Sequence, residues 1–283
     1  MQKESSKKLP LSFDHFFFLN YLLLLPNHIF VFMQGVVVKS TGSWYSVRIQ
    51  DGTFCQCRLK GKFRIKGIKS TNPVSVGDQV LLSRQGEDFM INEILERKNY
   101  IVRKSVNLSK QVHIIAANID QAFLVVTLAC PKTSVGFIDR FLVTAEAYQI
   151  PVVLVFNKID MYEKFDLKYH QDLISIYRRC GYKCIEVSAI KNRNIEELTA
   201  KMHDEVTLLS GHSGVGKSTL VNSIDPNLDL HTQSVSHAHK KGMHTTTFAE
   251  MFTLNFGGFI IDTPGIKGLG LVEINTQELS KYC

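Results

Sequence analysis

The sequence has six cysteines, Cys55, Cys57, Cys130, Cys180, Cys184 and Cys283, but no CxxC pair. Without such spacings there is no zinc-type ligand cluster and no disulfide framework. A reduced, cytoplasmic chain is the simplest reading. Cys180 and Cys184, four apart around Gly-Tyr-Lys, read as a helix end entering a strand rather than a metal clip. A long hydrophobic run is also missing. The strongest stretch, residues 16–25 behind early lysines, imitates a signal peptide. Asn20 interrupts it, Asp14 and His15 precede it, Pro26, Asn27 and His28 follow it, and no small-residue cleavage site appears. A membrane-crossing helix takes about 20 apolar residues, so this run is too short. We expect residues 1–32 to be a non-native or disordered extension, upstream sequence read in frame before a start at Met33. A membrane-associating segment is the alternative.

What remains is an ordinary globular mixture, 45% hydrophobic and 21% charged over 283 residues. That length suits about two domains. The formal charge of +7 is unevenly placed: residues 34–104 hold 13 Lys/Arg against 6 Asp/Glu. A basic module beside a near-neutral one meets a polyanion, or else presents a solvated basic face.

From Gly35 onwards short strands alternate with turn signals. GVVVKS, SWYSVRI, the Asp51-Gly52 turn, TFCQCRL, VGDQVLLS and FMINEIL give five strands in about 65 residues, the size of an OB-fold barrel. The alternation from Phe54 to Leu59 fits a strand with one exposed face. One connection, RLKGKFRIKGIKS, carries Arg58, Lys60, Lys62, Arg64 and Lys66, which suit phosphate contacts along RNA. Phe63 among them either stacks on an unpaired base or plugs the core.

After Ile119 the pattern changes. QAFLVVTLA and PVVLVFNKID are continuous apolar runs, as in strands buried on both faces. Helical spacing in GFIDRFLVTAEAYQI, DLISIYRRC and NIEELTAKM alternates with the strands YKCIEVSA and EVTLLSG. A mostly parallel, doubly wound sheet follows. We therefore expect an N-terminal all-β OB-fold domain over 33–104, its basic connection marking it as RNA-binding, and a second, α/β domain over 105–272, which the motifs that follow make a P-loop GTPase domain.

Gly211, His212, Ser213, Gly214, Val215, Gly216, Lys217, Ser218 and Thr219 form a GxxxxGK[ST] loop between a strand and a helix. Glycines let backbone N–H groups turn towards phosphates, and the helix N-terminus favours an anion. Lys217 is assigned to the β- and γ-phosphates and Ser218 to Mg²⁺. Asp262-Thr263-Pro264-Gly265 follows a strand; Asp262 suits the Mg²⁺ shell and Gly265 N–H the γ-phosphate. The aperiodic polar stretch between them suits a switch loop, with Thr246 or a neighbouring threonine sensing Mg²⁺. His237 and His239 fit a mobile histidine-rich loop better than a metal site. Asn157, Lys158 and Asp160 make an NKxD motif at a strand end. Asp160 would accept the ring N–H and exocyclic amine of guanine, which adenine does not offer. Ser188 and Ala189 would give a backbone N–H to the guanine carbonyl oxygen.

The order is thus base loop, phosphate loop, switch, DxxG, the reverse of the usual one. A relocated terminus leaves the core unchanged. We read the permutation as coupling the switch to whatever follows it.

NKID, SA, GHSGVGKSTL, HTTT and DTPGIKGLGL, in this order behind a small barrel, resemble the RsgA (YjeQ/YloQ) family of circularly permuted GTPases. The resemblance spans roughly residues 33–282. It implies GTP/GDP and Mg²⁺ as ligands and the small ribosomal subunit and its 16S-type rRNA as partners. It further implies hydrolysis stimulated by the subunit, late subunit maturation as the role, and a cytoplasmic monomer with no membrane attachment. Ile266 stands where many GTPases place a water-orienting glutamine, so the resemblance gives catalysis to His244; a solvent-facing loop histidine is the alternative. Family members continue into a zinc-binding domain of three cysteines and a histidine. Here residues 273–283 read as its start, in a C-terminally truncated chain without the zinc ligands. Competing readings are an RNA-binding module with negligible turnover, a permuted GTPase of the large subunit and, more remotely, an ATPase.

Overall fold

The computed structural model describes residues 22–25, 28–59, 72–86, 88–104, 112–164, 167–228 and 249–262. Within the segment expected to be an extension, β1 (Leu22–Leu25) and β2 (His28–Val31) pair antiparallel, Leu22 opposite Val31. Two apolar runs separated by Pro26-Asn27, a turn-forming pair, are the composition of a hairpin.

Five strands then close a barrel: β3 (Met33–Ser40), β4 (Tyr45–Ile49), β5 (Phe54–Leu59), β6 (Gln79–Gln85) and β7 (Asp88–Ile94). The hydrogen-bonded order is β3-β4-β5-β7-β6, and β6 returns to β3, so no barrel edge is left open. Every neighbouring pair is antiparallel except β5 with β7. This is the expected OB-like closure. The expected alternation is present too: Cys55 and Cys57 point inward beside Val37, Tyr45, Val47, Val80, Leu82 and Ile91, while Phe54, Gln56 and Arg58 face out.

A two-stranded antiparallel pair, β8 (Tyr100–Lys104) and β9 (Val112–Ala117), spans the boundary expected at residue 105. The GTPase sheet follows: β10 (Gln121–Val126), α1 (Val135–Ala147), β11 (Val152–Phe156), α2 (Leu167–Arg179), β12 (Lys183–Glu186), α3 (Ile195–Met202), β13 (Val206–Ser210), α4 (Lys217–Ile224), β14 (Glu250–Thr253) and β15 (Phe259–Asp262). Its order is β12-β11-β10-β13-β15-β14; all neighbours are parallel except β14 with β15. Helices cover both faces. Phe137, Ile138, Phe141 and Leu142 of α1 and Leu173, Ile174 and Tyr177 of α2 pack on one; Leu198 of α3 and Leu220 and Val221 of α4 pack on the other. Cys180 follows the end of α2 and Cys184 lies in β12, as the spacing suggested.

The two sheets are one. β14 bonds to β3 with Glu250 opposite Lys39, and the Lys39 ammonium lies 2.9 Å from a Glu250 carboxylate oxygen. β3 is covered on both faces. Val37 lies in the barrel core, while Val38 and half-buried Val36 join the GTPase core beside Ala249, Met251 and Phe259. Arg97, between β7 and β8, reaches back to Asp78 with two hydrogen bonds of 2.6 Å. The Asp78 carboxylate also accepts Ser75 N–H at 2.8 Å. Gly77 adopts φ +87°, and a Cβ there would stand 2.0 Å from the Ala117 carbonyl oxygen. Only glycine allows so close an approach of the barrel to β9.

Candidate nucleotide site

The site forms at the carboxyl ends of the parallel strands, where open α/β sheets hold ligands. β11 delivers Asn157 to Asp160, β12 delivers Ser188 and Ala189, β13 delivers the glycine loop and β15 delivers Asp262. In the sheet Leu209 stands opposite Asp262, so the phosphate loop and the DxxG aspartate leave adjacent strand ends.

Asn157 ties three of these segments together. Its side chain is buried; Nδ2 donates to the Val215 carbonyl at 2.9 Å and Oδ1 accepts Ala189 N–H at 3.2 Å. The Tyr162 hydroxyl donates to the Asn157 carbonyl. Motif spacing alone assigns Asn157 to base recognition. The structure gives it the further task of holding base loop and phosphate loop in register. Of the two backbone N–H groups expected to offer one to guanine, that of Ala189 is bonded to Asn157 and that of Ser188 to the Arg193 carbonyl at 3.2 Å. The Ser188 hydroxyl donates to Asp160 Oδ1, and Lys191 N–H reaches Ser188 Oγ at 3.2 Å. Asp160 is thereby oriented by a neighbour.

Lys158 has left-handed backbone, φ +65°, and its ammonium donates to the Gly214 carbonyl at 2.7 Å and to the Cys130 carbonyl. A second wall, unassigned from the sequence, enters here: the segment between β10 and α1. The Thr127 hydroxyl donates to the Pro131 carbonyl, and Thr127 N–H to Thr133 Oγ1 at 3.1 Å. Ser134 caps α1 through Phe137 N–H, and the Phe137 ring lies 3.9 Å from the His212 ring, centre to centre. TLACPKTS carries no periodic signal, which is why its place against the phosphate loop was not legible.

The phosphate loop has the curvature its glycines permit. Gly214 and Gly216 adopt φ +85° and +95°. A Cβ on Gly216 would stand 2.6 Å from Asn157 Nδ2, and one on Gly211 2.4 Å from the Val125 carbonyl oxygen. Lys217 opens α4 and donates to the Gly211 and His212 carbonyls at 2.7 and 2.9 Å. Burial pushes its ammonium pKa below the usual lysine value, and the charge of Asp262 opposes that shift. Burial, and then the charges of Lys217 and Arg140, lower the His212 pKa from the ordinary histidine value. Ser218 lies half-buried in the first turn of α4 and Asp262 half-buried at the end of β15. A hydroxyl and a carboxylate are hard oxygen donors of the kind Mg²⁺ takes. Among the described residues no three His, Cys, Asp or Glu side chains gather to hold a metal ion.

Asp225 is a further organiser that the sequence reading missed. Buried at the end of α4, its carboxylate accepts Asn255 N–H at 2.8 Å, Asn255 Nδ2 at 3.1 Å and Asn227 N–H at 3.1 Å. It fixes the chain leaving α4 to the β14–β15 turn. His237, His239, His244, Thr246 and Gly265 lie outside the described residues, as do Lys60, Lys62, Phe63, Arg64 and Lys66. Arg58 is exposed on β5.

Comparison with known proteins decides among the permuted GTPases. The model of the RsgA GTPase domain matches residues 94–272, and that of the RsgA N-terminal domain matches residues 34–88. The chain belongs to the RsgA family. It is 56% identical over 254 residues to the small ribosomal subunit biogenesis GTPase RsgA of Christiangramia forsetii, covering 88% of this chain and 81% of that one. It is 54% identical over 252 residues to RsgA 2 of Bacteroides thetaiotaomicron, with the same coverage. Among solved structures, YjeQ from Thermotoga maritima superposes with a TM-score of 0.71 at 33% identity, over 89% of this chain and 81% of that one. YloQ, described as a circularly permuted GTPase, gives 0.63 at 28% identity over 88% and 77%. An RsgA GTPase binds and hydrolyses GTP, so the permuted order read from the motifs and the barrel ahead of it belong to one enzyme. No helix among the described residues is long and apolar enough to cross a membrane.

Proposed function

We propose that this chain is a cytoplasmic, monomeric GTPase that binds the small ribosomal subunit through its rRNA and assists late maturation of that subunit. Subunit contact stimulates its hydrolysis of GTP. The observation carrying this reading is the continuous sheet that joins a basic barrel to the nucleotide site. The names of the relatives, small ribosomal subunit biogenesis GTPases, agree with it.

At the base, Asp160 accepts the ring N–H and amine of guanine, leaving a half-buried carboxylate oxygen without those donors against adenine. At the phosphates, Lys217 exchanges the Gly211 and His212 carbonyls for β- and γ-oxygens, an ion pair in place of two neutral acceptors. The loop N–H groups and the N-terminus of α4 add to the same anion site. Ser218, Asp262 and Thr246 would hold Mg²⁺, directly or through water, and the ion would supply charge neutralisation at the phosphates. Gly265 N–H senses the γ-phosphate, and His244 orients the attacking water, because Ile266 has no polar atom to do so. Arg58, Lys60, Lys62, Arg64 and Lys66 contact rRNA phosphates.

Steady-state GTP turnover, alone and with purified small or large subunits, tests the reading. Completing a GTPase site in trans is worth about 10³–10⁵ in well-studied cases. We expect slow intrinsic turnover, strong stimulation by small subunits alone, and no nucleotide binding by Lys217→Ala. Equal rates with and without small subunits, or stimulation by large subunits instead, would overturn it.

A further inference from the structure

Lys158, inside the loop read as the guanine reader, carries a Cβ and yet has left-handed backbone, φ +65°. Such a conformation costs free energy and persists only where its surroundings fix it. The chain is pinned on either side. Asn157 N–H donates to the Val126 carbonyl at 2.9 Å, Ile159 N–H to the Val187 carbonyl at 3.2 Å, and Met161 N–H to the Lys158 carbonyl at 2.9 Å. The peptide group between Asn157 and Lys158 is left over. Its N–H has no partner among the described residues. Its carbonyl accepts the Tyr162 hydroxyl. One phenol therefore orients the peptide that enters the strained residue, and Asp160 stands two residues further on.

Tyr162 is itself held in place. It lies in the 3₁₀ turn Ile159–Lys164 and is 3% exposed. Its ring centre is 4.6 Å from that of His170, which lies 5.7 Å from that of Phe156. His170 is buried, and its Nε2 stands 2.9 Å from a Glu186 carboxylate oxygen, tying α2 to β12. Burial raises the phenol pKa above the ordinary tyrosine value, so the hydroxyl keeps its proton at neutral pH and gives it to Asn157.

We propose that Tyr162 is a positioning residue for guanine recognition, its hydroxyl holding the Asn157–Lys158 peptide in the orientation that presents Asp160 to the base. It acts through the loop rather than on the nucleotide. The inference rests on Asp160 as the guanine acceptor and adds the group that sets where that carboxylate stands. Without the hydroxyl, a buried carbonyl loses its donor, and leaving it unpaired is costly. Turning the peptide over removes that cost. The turn changes ψ of Asn157 and φ of Lys158 together, releases the left-handed backbone and displaces Asp160. The ring of Tyr162 has no part in this; its packing on His170 stays when the oxygen is removed.

GDP and inosine diphosphate differ only in the exocyclic amine assigned to Asp160, so the ratio of their affinities reads the placement of that carboxylate. The experiment titrates the whole protein with each nucleotide by calorimetry. Wild type should favour GDP roughly 10- to 150-fold, the worth of a hydrogen bond to a charged group. Tyr162→Phe keeps the ring and removes the oxygen. Its preference for GDP should shrink by roughly 2- to 13-fold, the worth of a neutral hydrogen bond, with GDP affinity falling more than inosine diphosphate affinity. His170→Phe disturbs the same packing and cuts the tie to Glu186, but leaves the hydroxyl in place. It should lower the melting temperature and keep the wild-type preference. Equal losses for both nucleotides in Tyr162→Phe, or none, would overturn the positioning role and leave Asp160 as the base reader. A preference reduced alike in His170→Phe would assign the effect to packing and overturn it too. Wild-type protein binding both nucleotides equally would overturn the Asp160 reading, and the inference with it.

Discussion

Lys217 is held between two demands: the proposed phosphate contact needs its charge, and its side chain is half-buried. Burial lowers its pKa and Asp262 resists the shift. The sign of the consequence is fixed. The ammonium is fully present well below its lowered pKa and is lost as pH rises through it, sooner than for an exposed lysine. Bound phosphate pulls the pKa back up, so affinity falls across the interval between the free and bound values. GDP affinity measured without Mg²⁺ should be flat through neutral pH and weaken on the alkaline side. Asp262→Asn should move the onset of that weakening to lower pH; an unmoved onset would show that Asp262 does not support the charge. At this scale the sequence was most informative for residues with a fixed spacing. Lys217, Asp160 and Gly216 were all legible from their motifs. The link from Asn157 to Val215 and Ala189 was not, because it joins residues 58 and 32 positions away through the sheet. Asp225 belongs to no motif and looks like any polar residue at a helix end.

At the scale of elements, β3 carried a signal that was visible but unused. A barrel strand with one wet face alternates, whereas Val36, Val37 and Val38 form an unbroken apolar run. Such a run marks cover on both faces, and the second cover is the GTPase core. The barrel itself was legible because its turns and alternation are local. Its docking was not, because β14 and β3 lie more than 200 residues apart in sequence. Gly77 is the narrowest point of that docking. We expect Gly77→Ala to destabilise the protein by several kcal/mol. The added Cβ meets backbone, which cannot turn aside as a side chain can, and the residue is also forced to positive φ. Urea unfolding of the variant measures the loss, and wild-type stability would contradict the close approach. The Lys39–Glu250 pair at the same seam is exposed at both ends and contributes at most about 1 kcal/mol.

For the whole molecule, one sheet through both modules predicts one unfolding event. Trp44 emission reports the barrel and far-ultraviolet dichroism reports chiefly the helices of the GTPase domain; the two should trace a single urea transition. Separate midpoints would show that the modules fold independently. The Arg97–Asp78 pair strengthens the junction. Arg97→Met leaves the Asp78 carboxylate buried without its partner, a change that typically costs about 3–5 kcal/mol. Adding Asp78→Asn should restore part of the loss, since no charge then remains to strand. The permuted order acquires a physical meaning at this scale. The chain leaves α4 under the hold of Asp225 and returns as β14, the strand that bonds to the barrel. The segment proposed as the switch thus returns, in sequence, directly into the barrel's point of attachment.

That attachment also decides how the molecule can be cut. β14 meets β3 at one residue pair, Glu250 opposite Lys39. Deleting the barrel would remove that partner and bare Ala249, Met251 and Phe259. A bared apolar patch recruits other surfaces. The barrel is thus also the cover of that end of the GTPase core.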